Sequence, residues 1–163
     1  MKIFHLLLTG IIIISSCSNS SNGTSVTTNS DSTIKWTKLI SGNQCNMETQ
    51  MEVVITNQAQ FDSIWTKAFT MDMPPEKPAI DFTKNSVVAL FLGTVNKGGH
   101  GIEIAAINQS TDKEISIEAI HKLPGKNCFS SMAIEFPYYL ALTDVVINEK
   151  TTFSTKKKEV DCE

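Results

Sequence analysis

Ser86-Val87-Val88-Ala89-Leu90-Phe91-Leu92 is an unbroken apolar run in a chain otherwise rich in polar residues. Its length suits a strand, and with no polar face it reads as a central strand covered on both sides. Gly93 to Gly101 follows as a Gly-rich turn. Ile102, Ile104 and Ala106 then alternate with Glu103 and Ala105, and Ile115, Ile117 and Ala119 alternate with Ser116, Glu118 and Ile120. A period of two marks strands. Ser110 to Lys113 turns the chain between them, and Leu123 to Asn127 is a Pro-Gly loop. Phe129 to Phe136 and Tyr139 to Ile147 read as strands hinged at Pro137. Asn148-Glu149-Lys150 reads as a hairpin turn before a last strand, Thr151 to Lys158.

Upstream, Ile34 to Ile40 and Gln50 to Thr56 read as strands, with Ser41-Gly42-Asn43 as a turn. One helix stands out between them and the apolar run. Phe61, Ile64, Trp65, Ala68 and Phe69 recur at the spacing of one buried helical face. Thr56 or Asn57 caps it, with Gln60 three residues after Asn57. Met71 to Pro78 holds Pro74, Pro75 and Pro78 and ends it. The expected fold is α+β: a mainly antiparallel β-sheet with one amphipathic helix packed against it.

The first residues determine the expected compartment. Lys2 precedes an apolar segment, Ile3 to Ile14, that is too short for a transmembrane helix of about 20 residues. It ends in Ile14-Ser15-Ser16-Cys17, which resembles a lipobox. Residues 1–16 are therefore read as a lipoprotein signal peptide, and Cys17 as the lipidated (diacylglycerol, palmitate-type) residue. Ser18 to Thr33 is almost entirely Ser, Asn, Thr and Gly, a composition that cannot bury a core. Residues 17–33 thus form the lipidated cysteine and a flexible stalk reaching roughly 20–25 Å, and residues 34–163 form the domain. The expected location is the cell envelope, lipid-anchored, and the periplasmic face of the outer membrane in a Gram-negative organism.

Composition narrows the function. The chain of 163 residues carries a formal charge of −3, and all 14 basic residues are lysines. Without arginine, the preferred phosphate fork, and with an acidic balance, nucleic acid is not an expected partner. No metal-ligand, phosphate-loop or redox Cys motif occurs, so neither cofactor nor metal is expected. After Cys17, three cysteines remain: Cys45, Cys128 and Cys162. In an oxidising compartment they allow one disulfide. The favoured pair is Cys128–Cys162, which would tie the C-terminal end to the strand block; Cys45 with either partner competes. A thiol hydrolase using Cys128 and His121 is the alternative enzymatic reading. The chain itself is read as non-enzymatic.

The residues around the apolar run carry a resemblance. Ser86 to Gly93, then Gly98-Gly99-His100-Gly101-Ile102-Glu103-Ile104, is similar to a family pattern of apolar strand, glycine, short turn, Gly-Gly-Tyr and an Ile-Glu-Ile-like strand. Leu123-Pro124-Gly125-Lys126-Asn127-Cys128, followed by Phe136-Pro137-Tyr138, resembles its Pro-Gly…Cys and Pro-Tyr signatures. Val53-Val54-Ile55, leading into Phe61 and Trp65, resembles what precedes them. The family is the C-terminal domain of the protease-complex subunit PrcB, and the resemblance runs from about Val53 to Ile147. It implies a lipoprotein that binds or stabilises a partner protein, a protease complex being the named example, without catalytic residues or cofactor. His100 stands where the family usually has tyrosine, a change that alters specificity or adds a pH-sensitive group.

Within the turn, Gly98, Gly99 and His100 are the candidate partner-binding residues: glycines let another backbone approach, and imidazole offers hydrogen bonds. A plain hairpin turn with a bulge is the competing reading. A protease inhibitor-like module, plugging a cleft with this loop, is the alternative binding function.

Overall fold

The computed structural model describes residues 32–70 and 72–161. The expected signal peptide, Cys17, all of the stalk before residue 32, and Cys162 lie outside them. Eight strands and one helix follow in the order β1 (Ser32–Thr33), β2 (Trp36–Gly42), β3 (Met51–Ile55), α1 (Gln58–Ala68), β4 (Val87–Phe91), β5 (Gly101–Gln109), β6 (Ile115–Pro124), β7 (Tyr138–Thr143) and β8 (Thr151–Val160). The expected α+β class is observed, with the strands divided between two four-stranded sheets. One has the order β1-β5-β6-β8, the other β2-β7-β4-β3.

The apolar run explains the layering. β4 lies inside the second sheet, between β7 and β3, and all five of its residues are buried. Val87, Ala89 and Phe91 point to α1 and pack with Phe61, Trp65, Ala68 and Phe69. Val88 and Leu90 point the other way and meet Ile102, Ile104, Ile107, Ile115 and Ile117 of the first sheet. The molecule is thus three layers, helix on sheet on sheet, with two cores sharing β4. Both alternating strands, β5 and β6, need this arrangement, since each has one apolar face to cover.

α1 forms where its cap allows. The Gln60 N–H donates to Asn57 Oδ1 at 2.9 Å, and the Thr56 N–H donates to Gln60 Oε1 at 3.3 Å. These bonds satisfy backbone donors at the helix start. Thr143 and Ser86 lock the far end of β4 to β7. The Thr143 hydroxyl accepts the Ser86 N–H at 3.1 Å, and Ser86 Oγ accepts the Ile147 N–H at 2.9 Å, all in buried surroundings.

Several expected connections differ. Ser41 and Gly42 continue β2 instead of turning. Ser32 and Thr33, expected in the stalk, pair with Gln109 and Asn108 of β5. Gly93 to Gly101 is a crossover between sheets and not a hairpin, because β4 and β5 belong to different layers. Asn148 to Lys150 makes no hairpin either: β8 leaves the sheet of β7 and pairs with β6 in parallel, from Ile115↔Thr151 to Pro124↔Val160. Phe129 to Phe136 forms no strand; its single ladder contact is the bridge Val95↔Glu135.

Candidate partner-binding surface

The Gly-rich crossover, the loop after β6 and the end of β8 meet at one end of the sandwich. Gly93 begins the crossover with φ +76°, pressed against the backbone of Glu48 and Gln50. Val95 and Glu135 then exchange both backbone hydrogen bonds at 2.9 Å. The Gly98 N–H donates to the Ser131 carbonyl at 2.9 Å, and Ser130 Oγ donates back to the Gly98 carbonyl at 2.8 Å. The two loops therefore brace each other.

The three candidate residues have distinct environments. Gly98 is buried, and a Cβ there would lie 2.3 Å from Ser131 Oγ and 3.1 Å from Glu135 Oε1. Gly99 is exposed, adopts φ +88°, and has Pro124 against it. His100 is half-buried, and its Nδ1 lies 2.9 Å from Nε2 of His121 on β6. Register explains the meeting: His121 stands opposite Ile102, two residues beyond His100. Burial first, then the neighbouring His100 and Lys157, push the His121 pKa below its usual value. One proton shared between two ring nitrogens suits this spacing, whereas two protonated rings would repel.

His100 borders two depressions. A groove of about 360 Å³ runs between β2 (Lys38, Gly42) and the start of β5 (Glu103), with His100, Lys122 and Tyr139 in its wall. The Lys122 ammonium pairs with Glu103 at 2.6 Å within it. A smaller, mainly apolar groove of about 190 Å³ is lined by Gly99, His100, Pro124, Cys128, Phe129 and Val160.

Two features were missed in sequence. Glu135 is buried; its Oε1 accepts from Asn43 Nδ2 at 3.0 Å, and its Oε2 has no partner among the described residues. Beside it, Phe129, Met132 and Ile134 are 98%, 86% and 56% exposed. In place of the expected strand, the loop turns Met132 and Ile134 out and Glu135 in. The usable signal was the polar flank Lys126-Asn127 and Ser130-Ser131, which is poor strand composition.

Cys45 is a free, buried thiol whose pKa burial raises, the opposite of an activated nucleophile. Cys128 Sγ sits 3.5 Å from the Val160 carbonyl, and the Gly125 N–H bonds that same carbonyl at 2.9 Å. His121 engages His100. Among the described residues, no three His, Cys, Asp or Glu side chains converge as metal ligands.

Residues 86–144 match the PrcB C-terminal family model. The resemblance is borne out there, over about a third of the chain. The match starts at β4 and ends with β7, so Val53-Val54-Ile55, Phe61 and Trp65 lie outside it. The matched segment contains the whole crossover, the His100–His121 pair and the exposed Phe129–Ile134 loop. No curated protein and no solved structure matches the chain.

Proposed function

We propose that this chain is a non-enzymatic, lipid-anchored module of the cell envelope that binds and stabilises a partner protein, a protease complex being the candidate. The observation that carries the reading is the coincidence of the PrcB C-terminal match with a braced end surface bearing exposed apolar side chains. Gly99 and His100 contribute to that surface, and Gly98 holds it together from beneath. The anchor is Cys17, on the evidence of the Ile14-Ser15-Ser16-Cys17 pattern. A Cys128–Cys162 disulfide is part of the proposal, supported by the position of Cys128 beside Val160, two residues before Cys162.

The test is capture from the native envelope. Full-length protein is recovered from detergent-solubilised membranes, and co-purifying proteins are identified by mass spectrometry. The expected result is a specific partner, with the chain itself retained in the membrane fraction and released by Cys17→Ala. Wild-type protein in the soluble fraction would remove the anchor from the proposal. Inhibition of purified proteases, with no stable co-purifying partner, would replace assembly by inhibition.

A further inference from the structure

Resting on the partner-binding reading, we infer that the Phe129–Ile134 loop is the contact point itself, and that it docks into an apolar socket rimmed by carboxylates on another protein. Exposure of single apolar side chains is ordinary, but three on one short loop, two of them nearly fully exposed, is not. The loop is held from several sides. Ser130 and Ser131 bond Gly98, Glu135 pairs with Val95, the Cys128 N–H donates to the Gly125 carbonyl, and the Gly125 N–H to that of Val160. The apolar side chains are therefore displayed on a fixed support, which lowers the ordering cost of binding.

Charge selects the occupant. Lys97 and Lys126 flank the loop, and Lys157 and Lys158 stand on β8 opposite His121 and Lys122. None of these four makes an ion pair among the described residues. Glu159 and Asp161 are the acidic residues on the same β8 end, so lysine is in excess. A second copy of the chain would bring like charge against like, whereas an acidic rim is complementary.

Position separates protein from lipid. The chain enters the domain at Ser32, which pairs with Gln109 at the last residue of β5. The Phe129–Ile134 loop lies beyond the first residue of β5 and the last of β6, roughly 25–30 Å away along the strands. The attachment ahead of Ser32 leaves from the opposite end of the domain, so it does not hold this loop against the membrane.

The experiment places a photo-crosslinking benzophenone side chain at position 129 or 132 of the full chain in its own membranes, with position 112 in the opposite turn as control. The expected result is one adduct with a different protein at 129 and 132, none at 112, and at least a fivefold loss when Lys97→Glu and Lys126→Glu are combined. Adducts with lipid or with a second copy, an equal adduct at 112, insensitivity to charge reversal, or no adduct overturns the inference. Capture by the Phe129→Ser, Met132→Ser double variant separates this failure from that of the broader reading. If wild type and variant capture the partner equally, the surface is wrong and the partner-binding function stands. If wild type captures nothing, both fall.

Discussion

Gly93 makes the strictest demand of any single residue in the crossover. Its φ of +76° disfavours a side chain, and a Cβ would come within 2.8 Å of the Glu48 carbonyl oxygen and the Gln50 nitrogen. Both are backbone atoms and cannot swing aside. Gly99 shares the positive φ but meets only the Pro124 ring, at 3.2 Å. Gly93→Ala is therefore expected to cost about 2–3 kcal/mol and Gly99→Ala about 1 kcal/mol, read from urea denaturation midpoints. Equal losses would remove the backbone clash as the cause. His121 gives a pH dependence. Its folded pKa lies below the usual 6.5, so the unfolded chain takes up the proton first as the solution is acidified. The stabilising contribution is complete above about pH 6.5 and is lost as pH falls through the lower folded value. Melting temperature is expected to drop across that window in wild type and to drop less in His121→Gln. The charged neighbours are His100 and Lys157, and their repulsion acts in the same direction.

Among the elements, α1 shows how local and tertiary forces divide the work. Its start is specified by Asn57 and Gln60, and Asn57→Ala is expected to cost about 1 kcal/mol. Its place in the fold depends on Phe61, fully buried and in ring contact with Trp65 and Phe82. Phe61→Ala is expected to cost about 3–5 kcal/mol, and the same denaturation series measures both. A larger loss for Asn57 than for Phe61 would contradict a helix held chiefly by packing. The segment Phe129 to Phe136 is the opposite case. Its apolar residues at 132, 134 and 136 satisfy a strand period, yet the chain uses it as a braced loop. Its neighbours along the chain, β6 and β7, are each paired on both sides, β6 with β5 and β8 and β7 with β2 and β4, so neither offers it an edge.

For the molecule as a whole, β8 closes one side of the first sheet through its parallel pairing with β6, and its register brings Val160 beside Pro124 and Cys128. The proposed Cys128–Cys162 bond would staple that closure. Removing it by Cys162→Ser is expected to lower stability by about 2–4 kcal/mol under oxidising conditions, and to have no effect when wild type is reduced for comparison. Thiol titration of the native protein is expected to find no reactive thiol. In denaturant it should find one, Cys45, which is buried in the helix-side core. Peptide mapping without reductant that joins Cys45 to Cys128 or Cys162 would refute the pairing.

The sequence by itself determined the features with short-range causes. The α1 cap and buried stripe, β4 as a strand covered on both faces, the period of β5 and β6, and the Ser110–Lys113 turn all depend on residues a few positions apart. The PrcB C-terminal likeness was legible for the same reason, since its signatures are short runs around β4, the crossover and Pro137. Only the tertiary structure decided which strands share a sheet, that β8 runs parallel to β6, that His100 meets His121, and that Gly98 lies beneath Ser131 and not on the surface. These are contacts between residues tens of positions apart, 21 for the histidine pair and 32 for Ser130 and Gly98. Local pattern constrains each element's faces, but the choice of partner is made by the joint burial of both sheets and the helix, which no single segment encodes.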